Sequence, residues 1–358
     1  MIMKTKARVI AFYLPQYHPI PENDKWWGKG FTEWTVVASA KPLFRGHYQP
    51  HIPADLGFYD LRLPEIRIAQ AELATEHGIE GFCYWHYWLG NGKRLLERPF
   101  KEVLSSKEPN FPFCLGWANH SWKGVYFGAQ GRTLVEQEYP DTKDYIKHFN
   151  TVIEAFSDDR YITVDGKPLF FVFAPKDIPD AKRFVDLWQE MALKEDLKGI
   201  HFVGGGISTE YAEEIGFDAS SPYRNRIVQN LWPQNKIIRK LFQIYRSILN
   251  FPAVYSYERA MNYFFESDIS LEKYYPVIVP NWDTSPRFGS KSVILHKSTP
   301  ELFRIHVKEA FNKVSHKSPE HRIVFLKSWN EWAEGNYIEP DLQYGKAYLE
   351  VIRDENCR

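Results

Sequence analysis

The sequence has few cysteines and no long apolar run. Its three cysteines, Cys83, Cys114 and Cys357, give neither a disulfide framework nor a zinc motif, because their number is odd and no two lie close together. No run approaches the roughly 18 apolar residues of a membrane span. The short apolar run that follows Lys4 and Lys6 predicts a strand and not a signal peptide. We therefore expect a cytoplasmic protein without a membrane-inserted segment.

The sequence also lacks an excess of charge of either sign. Lysine plus arginine and aspartate plus glutamate each number 45, so the formal net charge is zero. This balance gives no overall attraction to nucleic acid or to an anionic membrane. One local exception is the basic stretch with Lys236, Arg239, Lys240 and Arg246. It is either a solvated helix face outside the core, which is the simpler interpretation, or a contact for a membrane or a lipid-linked phosphate.

Eight apolar runs alternate with helical segments. Most of these runs are continuous and not alternating, as expected for parallel strands covered on both faces. This order predicts an α/β fold, a (β/α)₈ TIM barrel formed by one domain over residues 1–358. A doubly wound open sheet is the alternative, but no glycine fingerprint follows the first strand. The candidate strands are Arg8–Leu14, Ile79–Trp85, Phe111–Trp117, Pro168–Phe173, Ile200–Gly204, Phe217–Ser220, Tyr275–Pro280 and Arg322–Ser328.

Two connections between these strands are long. The first runs from Pro15 to Leu63 without a clear helix of its own, and the second runs from Tyr223 to Lys273. Long loops within a compact domain are usually functional. We expect the long βα loops to form the active-site face at the carboxyl ends of the strands.

The predicted strand ends carry many aromatic and polar residues, and aromatic residues make up 16% of the chain. Carboxyl ends of barrel strands carry the catalytic and binding residues in this architecture, and flat aromatic faces suit sugar rings. His18, His86 and His120 could instead converge on a metal, but no close ligand pair is present, so we expect neither metal nor cofactor. The predicted substrate-binding residues are Tyr13, Gln16, His18, Trp85, His86, Trp117, Asn119, His120, Asn281, Trp282, Asp283, Trp329 and Asn330.

The last predicted strand is followed by two glutamates in an aromatic setting. Glu331 and Glu334 lie in the segment Ser328–Gly335, three residues apart. On a helical turn, this spacing places Cβ atoms roughly 5–6 Å apart, and retaining glycosidases hold their two carboxyls at about 5–5.5 Å. The pair therefore predicts acid–base catalysis on a glycosidic bond. An exposed acidic loop or helix start is the alternative.

Four segments together resemble the WbsX-type proteins of bacterial surface-polysaccharide clusters, which are often labelled glycosyltransferases. They are Ala11–Pro19, Gly30–Trp34, Pro280–Asp283 and Trp329–Gly335. The WbsX type is similar in turn to glycoside hydrolase family 99, the endo-α-mannosidases and endo-α-mannanases. The first resemblance covers most of the chain. The second depends on the barrel order, the first-strand tyrosine and the terminal acidic motif.

The resemblance to family 99 implies a (β/α)₈ barrel that acts with retention through a 1,2-anhydro sugar. It implies that Glu331 deprotonates the sugar 2-hydroxyl and that Glu334 is the acid/base, and it makes Tyr13 and Asn281 sugar contacts. The chain departs from the family at Ala333, where the hydrolases have histidine. That difference puts identical specificity in doubt.

Three functions are consistent with these residues. The leading hypothesis is a retaining glycoside hydrolase or transglycosidase acting on an α-linked, mannoside-like glycan in surface-polysaccharide or O-antigen metabolism. The second is a nucleotide-sugar-dependent glycosyltransferase of lipopolysaccharide or capsule biosynthesis, and the third is a non-catalytic glycan-binding barrel. The expected partner is an oligo- or polysaccharide, free or lipid-linked, and not nucleic acid.

Overall fold

Eight parallel strands form the centre of the computed structural model of the chain, which describes residues 5–124, 132–222, 231–233, 235–265 and 271–357. Their order around the sheet is β6-β5-β4-β3-β2-β1-β8-β7. A parallel bridge between Ser220 and Tyr274 brings β6 next to the start of β7, so the barrel is nearly closed. The strands are β1 (Arg8–Tyr13), β2 (Gly81–Trp88), β3 (Phe113–Trp117), β4 (Lys167–Val172), β5 (His201–Gly205), β6 (Ala219–Ser221), β7 (Val277–Ile278) and β8 (Ile323–Leu326).

Each of these strands overlaps one of the eight runs identified in the sequence, so the predicted (β/α)₈ barrel is confirmed. In the register, Arg8 of β1 is paired with Ile323 of β8, and Ile10 of β1 is paired with Gly81 of β2. The first and last strands are therefore neighbours. This arrangement brings the segment after β8 next to the loops that follow β1 and β2.

Twelve α-helices lie within the described residues. Several begin at residues suited to a helix start: Pro64 is the first residue of its helix, and Asp141 and Thr299 accept hydrogen bonds from backbone amides of the first turn. The helices are α1 (Pro21–Trp27), α2 (Glu33–Ser39), α3 (Pro64–Glu76), α4 (Arg98–Ser106), α5 (Thr142–Phe156), α6 (Ala181–Lys194), α7 (Thr209–Glu214), α8 (Lys236–Leu249), α9 (Tyr257–Met261), α10 (Ser285–Phe288), α11 (Pro300–Val314) and α12 (Ala347–Asn356).

Short strands complete the regular structure outside the barrel. A three-stranded sheet joins Ala253–Ser256, Val293–His296 and Trp282–Asp283. Trp122–Lys123 is paired with Thr133–Val135. Arg94–Leu95 and Thr163–Val164 are antiparallel to β2 and β4.

The two long connections contain more helix than the sequence indicated. The expectation that Pro15–Leu63 has no helix of its own is wrong, because α1 and α2 lie within it. In Tyr223–Lys273, residues 223–230, 234 and 266–270 lie outside the described residues, and the rest contains α8 and α9. Pro21 at the first position of α1 and Thr32 before α2 are the local start signals of the two unexpected helices.

Aromatic rings fill the interior of the barrel. Phe12 of β1 is stacked on Trp85 of β2 with ring centroids 4.8 Å apart, and it lies 4.9 Å from Phe171 and 5.1 Å from Phe325. A Cβ at Gly116 would lie 3.0 Å from the Trp85 ring, so glycine leaves room for this indole. The alternation along a strand then places residues such as Cys83, Trp85 and Tyr87 on the inner side.

The segment after β8 packs closely against the loop that follows β7. Gly335 has a φ of +65°, and a Cβ at this position would lie 2.7 Å from the backbone nitrogen of Asp283. The close approach fixes the position of the acidic segment against the loop that follows β7. A side chain at Gly335 would have to displace one of these two backbones.

We expect Gly335→Ala to lower the free energy of unfolding by about 2–5 kcal/mol, since overpacking typically costs about 1–3 kcal/mol in addition to the left-handed conformation at about 1–2 kcal/mol. Gly345→Ala is the matched control, because Gly345 also has a positive φ (+53°) but open space around its Cβ position. Urea unfolding followed by tryptophan fluorescence compares the two variants. Equal losses in both variants would contradict a tight contact at Gly335.

Candidate functional site

Glu331 and Glu334 lie on one tight turn just after β8. Trp332–Glu334 forms a single 3₁₀ turn, with Glu331 immediately before it and Gly335 after it. The two carboxyl groups are hydrogen-bonded to each other. Glu331 is buried at 6% exposure, and its Oε2 has no hydrogen-bond partner among the described residues. The turn therefore brings the two predicted catalytic carboxyls into direct contact.

Arg287 connects the glutamate pair to the loop after β1. From α10, its Nη1 donates a hydrogen bond to Glu334 Oε1, and its Nη2 donates to Glu33 Oε1 at 3.0 Å. Glu33 is the first residue of α2 and is fully buried. One guanidinium thus joins segments that follow β1, β7 and β8. Such charge-assisted hydrogen bonds fix geometry as well as charge.

A buried lysine provides the second positive group of the site. Lys327 precedes the turn, and its Nζ lies 4.3 Å from the centre of the Trp282 ring. Burial lowers the pKa of Lys327, while the negative charges of Glu334 and Glu331 act in the opposite direction. Lys327 therefore interacts electrostatically with both carboxyls and extends the charged cluster to Trp282.

The two glutamates differ in protonation. Burial raises the pKa of Glu331 well above its usual range, and the neighbouring Glu334 raises it further. Burial would also raise the pKa of Glu334, but Arg287, Lys327 and the hydrogen bond with Glu331 outweigh it, so that this pKa is lowered. The ligand-free pair therefore holds one proton near neutral pH, mainly on Glu331. The two groups titrate as one coupled system.

Two tyrosines contact or flank this turn. The Tyr17 hydroxyl donates to the backbone oxygen of Asn330 and accepts a hydrogen bond from the Trp332 nitrogen at 3.2 Å. Tyr87, near the end of β2, is buried, and its pKa is raised by burial and by the charge of Glu331. Tyr17 therefore holds the backbone of the turn, while Tyr87 places a phenol close to the carboxyl pair.

Another buried carboxyl, that of Glu339, supports the turn. Glu339 accepts hydrogen bonds from Trp332 Nε1 at 2.7 Å, Tyr59 OH at 2.9 Å and Gln70 Nε2 at 2.6 Å. Burial raises the pKa of Glu339 to about 7. Since the other two donors, Tyr59 and Gln70, come from the surrounding framework, Glu339 orients Trp332, one of the two residues between the glutamates of the pair.

Tyr13, Trp329 and Asn330, three of the predicted substrate contacts, are buried in this supporting layer. The Tyr13 hydroxyl donates to Gln70 Oε1 at 2.6 Å. Asn330 accepts from the Leu14 nitrogen at 2.7 Å and donates to the Leu14 oxygen at 3.0 Å, which connects the segment after β8 to the end of β1. Trp329 is fully buried. Their hydrogen bonds and burial position the pair.

His86 and Trp117 are turned outward, away from the glutamates. His86 Nε2 lies 2.9 Å from Nε2 of His148 on α5, and the Trp117 ring centroid lies 4.8 Å from that of His148. Burial lowers the pKa of His86 to about 3. The structure thus places both side chains on the outer side of their strands and does not bring them to the glutamates. Trp85 is turned inward and fills the barrel.

The polar residues after β1 and β3 are engaged locally. Asn119 accepts from the Ala174 nitrogen at 2.7 Å and donates to the Ala174 oxygen at 2.8 Å, which joins the ends of β3 and β4. His18 Nδ1 lies 3.0 Å from the Pro15 oxygen. Gln16 is buried, and its backbone oxygen accepts from the Glu33 nitrogen at 3.2 Å. His120 is half-buried with its ring 5.0 Å from Phe173.

The segment after β7 meets both the site and a separate cavity. Asp283 accepts hydrogen bonds from His47 Nε2 at 2.8 Å and Gln49 Nε2 at 2.7 Å. These bonds help to keep the pKa of Asp283 lowered in spite of its burial. Asn281 and Asp283 line a cavity of about 480 Å³ together with Tyr48. Trp282, in contrast, contacts Lys327 of the charged cluster.

Sequence reasoning missed four residues that surround the pair: Glu33, Tyr87, Arg287 and Lys327. Glu33 lies within the Gly30–Trp34 segment that carries the resemblance, and Tyr87 is two residues beyond Trp85 and so on the same inner face of β2. Those two had a signal in the sequence. Arg287 had none, because Glu33 and Glu334 are distant from it in the chain, and nothing in the sequence distinguishes Lys327 from other lysines.

A family model described as "Glycosyltransferase WbsX" matches residues 9–352. The chain belongs to this WbsX family. It is 35% identical over 371 residues to the protein described as "Uncharacterized protein WxcX" from Xanthomonas campestris pv. campestris (strain B100). That alignment covers 98% of this chain and 50% of WxcX. The chain therefore spans about half the length of the curated relatives that it matches.

Solved structures with the same barrel include glycoside hydrolases. A "Glycoside hydrolase-like protein" has a TM-score of 0.59 and 15% identity, with 98% of this chain and 93% of that chain covered. The GH99 endo-alpha-mannosidase from Bacteroides thetaiotaomicron has a TM-score of 0.57 and 14% identity, with 97% and 95% covered. At this identity the likeness shows the fold. This WbsX-family chain thus has a family 99-like barrel.

The described part of this WbsX-family chain has neither a metal-binding cluster nor a membrane-spanning helix. No group of three or more histidine, cysteine, aspartate or glutamate side chains in that part of the chain is arranged to hold a metal ion. Among the described helices, none is both long enough and apolar enough to cross a membrane.

The raised pKa of Glu331 predicts a stability effect that depends on pH. A buried carboxyl with a raised pKa destabilises the fold once the pH exceeds its ordinary value, because the unfolded chain loses its proton first. We expect Glu331→Gln to increase the free energy of unfolding at pH 7.5 by about 1–2 kcal/mol, since one pKa unit corresponds to about 1.4 kcal/mol. The gain should shrink towards pH 4.5.

Glu334→Gln is the matched control, because its pKa is lowered and its carboxylate binds Arg287. This variant should be less stable than the parent protein at pH 7.5. Thermal and urea unfolding at both pH values measure the two effects. A loss of stability in Glu331→Gln that is the same at both pH values would contradict the proton assignment.

Proposed function

We propose that this chain is a retaining glycoside hydrolase or transglycosidase that uses Glu331 and Glu334. The observation that supports the proposal most strongly is the placement of Glu331 and Glu334 on one turn, with Glu331 buried and Glu334 bound to Arg287. Cleavage of a glycosidic bond needs one carboxylic acid and one carboxylate at close range. Pairs of titratable groups whose environments drive their pKa values apart are typical of acid–base sites.

The chemistry begins with proton transfer to the leaving oxygen. The protonated carboxyl gives its proton to the glycosidic oxygen as the bond from C1 to that oxygen breaks. The ionised carboxylate either removes the proton of the 2-hydroxyl, whose oxygen attacks C1 to give a 1,2-anhydro sugar, or attacks C1 itself. Water or another sugar hydroxyl then attacks C1 and gives its proton to the first carboxylate. In the first route the bond from C1 to O2 breaks and O2 takes its proton back from the second carboxyl, and in the second route the bond from C1 to the carboxylate oxygen breaks. The configuration at C1 is retained in either case.

The surrounding charges support this sequence of steps. Arg287 stabilises the ionised form of Glu334, and burial of Glu331 keeps its proton available near neutral pH. Lys327 and Arg287 offset the negative charge of the pair. Tyr17 and Glu339 hold the turn and Trp332 in place, so that the two carboxyls remain at a fixed separation.

The roles of the two glutamates can be assigned in two ways. The family resemblance makes Glu331 the base for the 2-hydroxyl and Glu334 the acid/base. The charge distribution of the ligand-free pair favours the reverse order, with Glu331 as the first proton donor. The two assignments give opposite results for a substrate whose leaving group needs no protonation.

We expect Glu331→Gln and Glu334→Gln each to reduce turnover of a natural glycan by about 100-fold or more. With a glycosyl fluoride or dinitrophenyl glycoside, only the variant that lacks the proton donor should regain activity. Recovery in Glu331→Gln supports Glu331 as the donor, and recovery in Glu334→Gln supports the family-based roles. Glu76→Gln, on the exposed end of α3, is the control. Full activity in either site variant with the natural glycan would exclude the proposed mechanism.

An α-linked, mannoside-like glycan is the proposed substrate class, because the segment Trp329–Gly335 resembles the acidic motif of family 99 and the chain shares the barrel fold of an endo-alpha-mannosidase. We propose that the reaction takes place in the cytoplasm and serves surface-polysaccharide or O-antigen metabolism, in line with the family to which the chain belongs. The glycan is then either free or lipid-linked. The departure at Ala333 affects specificity at the turn itself, since this residue lies between Trp332 and Glu334.

A nucleotide-sugar-dependent glycosyltransferase is the second candidate, because the family description names that activity. Mass spectrometry of a defined panel of α-linked oligosaccharides, incubated with and without nucleotide sugars, separates the two. Shortened or rearranged glycans without any nucleotide sugar are the expected result. Glycans lengthened only when a nucleotide sugar is present would replace the glycosidase proposal with transfer. Binding without any turnover would indicate a glycan-binding barrel.

A further inference from the structure

Helix α8 has two sharply separated faces. At 100° per residue, its apolar side chains fall on one continuous arc and its basic and amide side chains on the other. The apolar arc consists of Ile237, Ile238, Leu241, Phe242, Ile244, Tyr245, Ile248 and Leu249, and the polar arc consists of Lys236, Arg239, Lys240, Gln243, Arg246 and Ser247. An ordinary surface helix with this pattern would bury its apolar arc against the core.

The orientation of α8 is the reverse of that expectation. No residue of the helix is fully buried, and the partly buried positions are Arg239, Phe242 and Arg246. Arg239 donates to the Pro233 oxygen at 3.1 Å, and Arg246 donates to the Phe251 oxygen at 3.2 Å. Both acceptors lie in the chain segments that flank the helix, so its two arginines bond to the chain at either end of α8.

The apolar arc consequently faces outward. Ile237 is 71% exposed, Leu241 is 61% exposed and Ile248 is 77% exposed. Four further members of the arc, Ile238, Ile244, Tyr245 and Leu249, are also among the exposed large apolar residues. Contiguous apolar surface of this kind marks a site of interaction with another molecule or with a membrane.

The charges of α8 indicate which kind of partner this helix can bind. The helix contains no acidic residue, and Lys236 and Lys240 are exposed on the polar arc next to the apolar one. Long lysine side chains at this position can extend along an apolar phase and keep their ammonium groups at its surface. A partner that accepts both features is apolar inside and negatively charged at its surface. A second copy of the chain would bring the same cations to the contact.

We propose that α8 lies in the surface of an anionic lipid bilayer and docks the protein there. The helix has 14 residues, too few to span a bilayer but ample to lie in its interface. Lipid headgroups of negative charge supply the complement to the basic arc. The bilayer interior accepts the isoleucine and leucine side chains that the fold leaves exposed.

The position of α8 in the chain indicates which face of the barrel would lie next to the bilayer. The helix lies between β6 and β7 and leads into the strand Ala253–Ser256, which belongs to the same small sheet as Trp282–Asp283. The helix thus belongs to the connections on the carboxyl face of the barrel, the face that carries the glutamate pair. If the proposed function holds, docking would place that face near lipid-linked glycans.

Flotation with lipid vesicles tests the docking without any glycan, so its failure is separate from failure of the proposed function. The full chain is mixed with vesicles of phosphatidylcholine alone or with 30% phosphatidylglycerol. We expect the protein to float with the phosphatidylglycerol vesicles and to be released as salt is raised. No flotation, or equal salt-independent binding to both vesicles, would overturn the proposal.

Two variants assign the contact to α8. Ile237→Ser/Leu241→Ser/Ile248→Ser should weaken the partition into anionic vesicles at least tenfold, because three exposed apolar anchors are lost. Lys236→Glu/Lys240→Glu should also weaken it at least tenfold, since each basic residue near such a surface contributes about fivefold. Circular dichroism checks that each variant is folded. Vesicle binding that is unchanged in the triple serine variant would overturn the proposal.

The matched controls change exposed apolar and lysine residues outside α8. Leu63→Ser/Leu193→Ser/Ile305→Ser removes three large apolar side chains that are also exposed, and Lys101→Glu/Lys143→Glu reverses two exposed lysines outside α8. Both should bind vesicles like the parent protein. Sedimentation velocity tests whether a second copy of the chain is the partner instead. If the parent protein does not float with vesicles but forms a dimer, and the triple serine variant of α8 does not form that dimer, the partner is a second copy and the proposal is overturned.

Discussion

The contact of Arg287 with Glu33 and Glu334 is the interaction on which the site depends. A single guanidinium connects the loop after β1, the helix after β7 and the turn after β8. Without this cation, the carboxyls of Glu33, Glu331 and Glu334 would lie together with only Lys327 to offset their charge, and their mutual repulsion would raise their pKa values. Arg287 keeps one of them ionised while its neighbour Glu331 retains a proton. The difference between the two glutamates is therefore produced by groups distant in sequence.

The remaining framework holds that arrangement in place through buried hydrogen bonds. Asn330 joins the segment after β8 to β1, Tyr17 contacts the turn, and Glu339 holds Trp332. Each of these groups is satisfied by framework partners and not by solvent. A turn held from several sides retains its geometry when a substrate displaces water from the site, which favours proton transfer over a fixed distance.

The barrel could be predicted from the sequence because most of the buried strands are continuous apolar runs, and the eight runs follow each other in the order in which they pair. The glutamate turn could be found because it directly follows the last run. The side on which each residue lies was harder to predict. On β2, Trp85 and Tyr87 face inward while His86 faces α5, because neighbouring residues of a strand alternate sides.

Other features depended on contacts that no local pattern reveals. Tyr13 and Asn330 are polar and aromatic groups at strand ends, as substrate contacts often are, yet their hydrogen bonds are made with Gln70 and Leu14. Arg287 and Lys327 are ordinary cations in the sequence. Their role follows only when the loops after β1, β7 and β8 are brought together.

The balance of charge around the glutamates has a consequence for how a substrate reaches them. With Glu331 protonated, the ionised Glu334 lies beside the cations Arg287 and Lys327, so charges of both signs occur in the same cluster. Mixed charges give a weaker field at a distance than charges of one sign, so the cluster contributes little to the long-range steering of ions. Encounter with a neutral saccharide is governed by diffusion and shape, and its rate is insensitive to ionic strength. A saccharide is therefore recognised only on contact, when its individual hydroxyl groups reach the fixed charged side chains of the site.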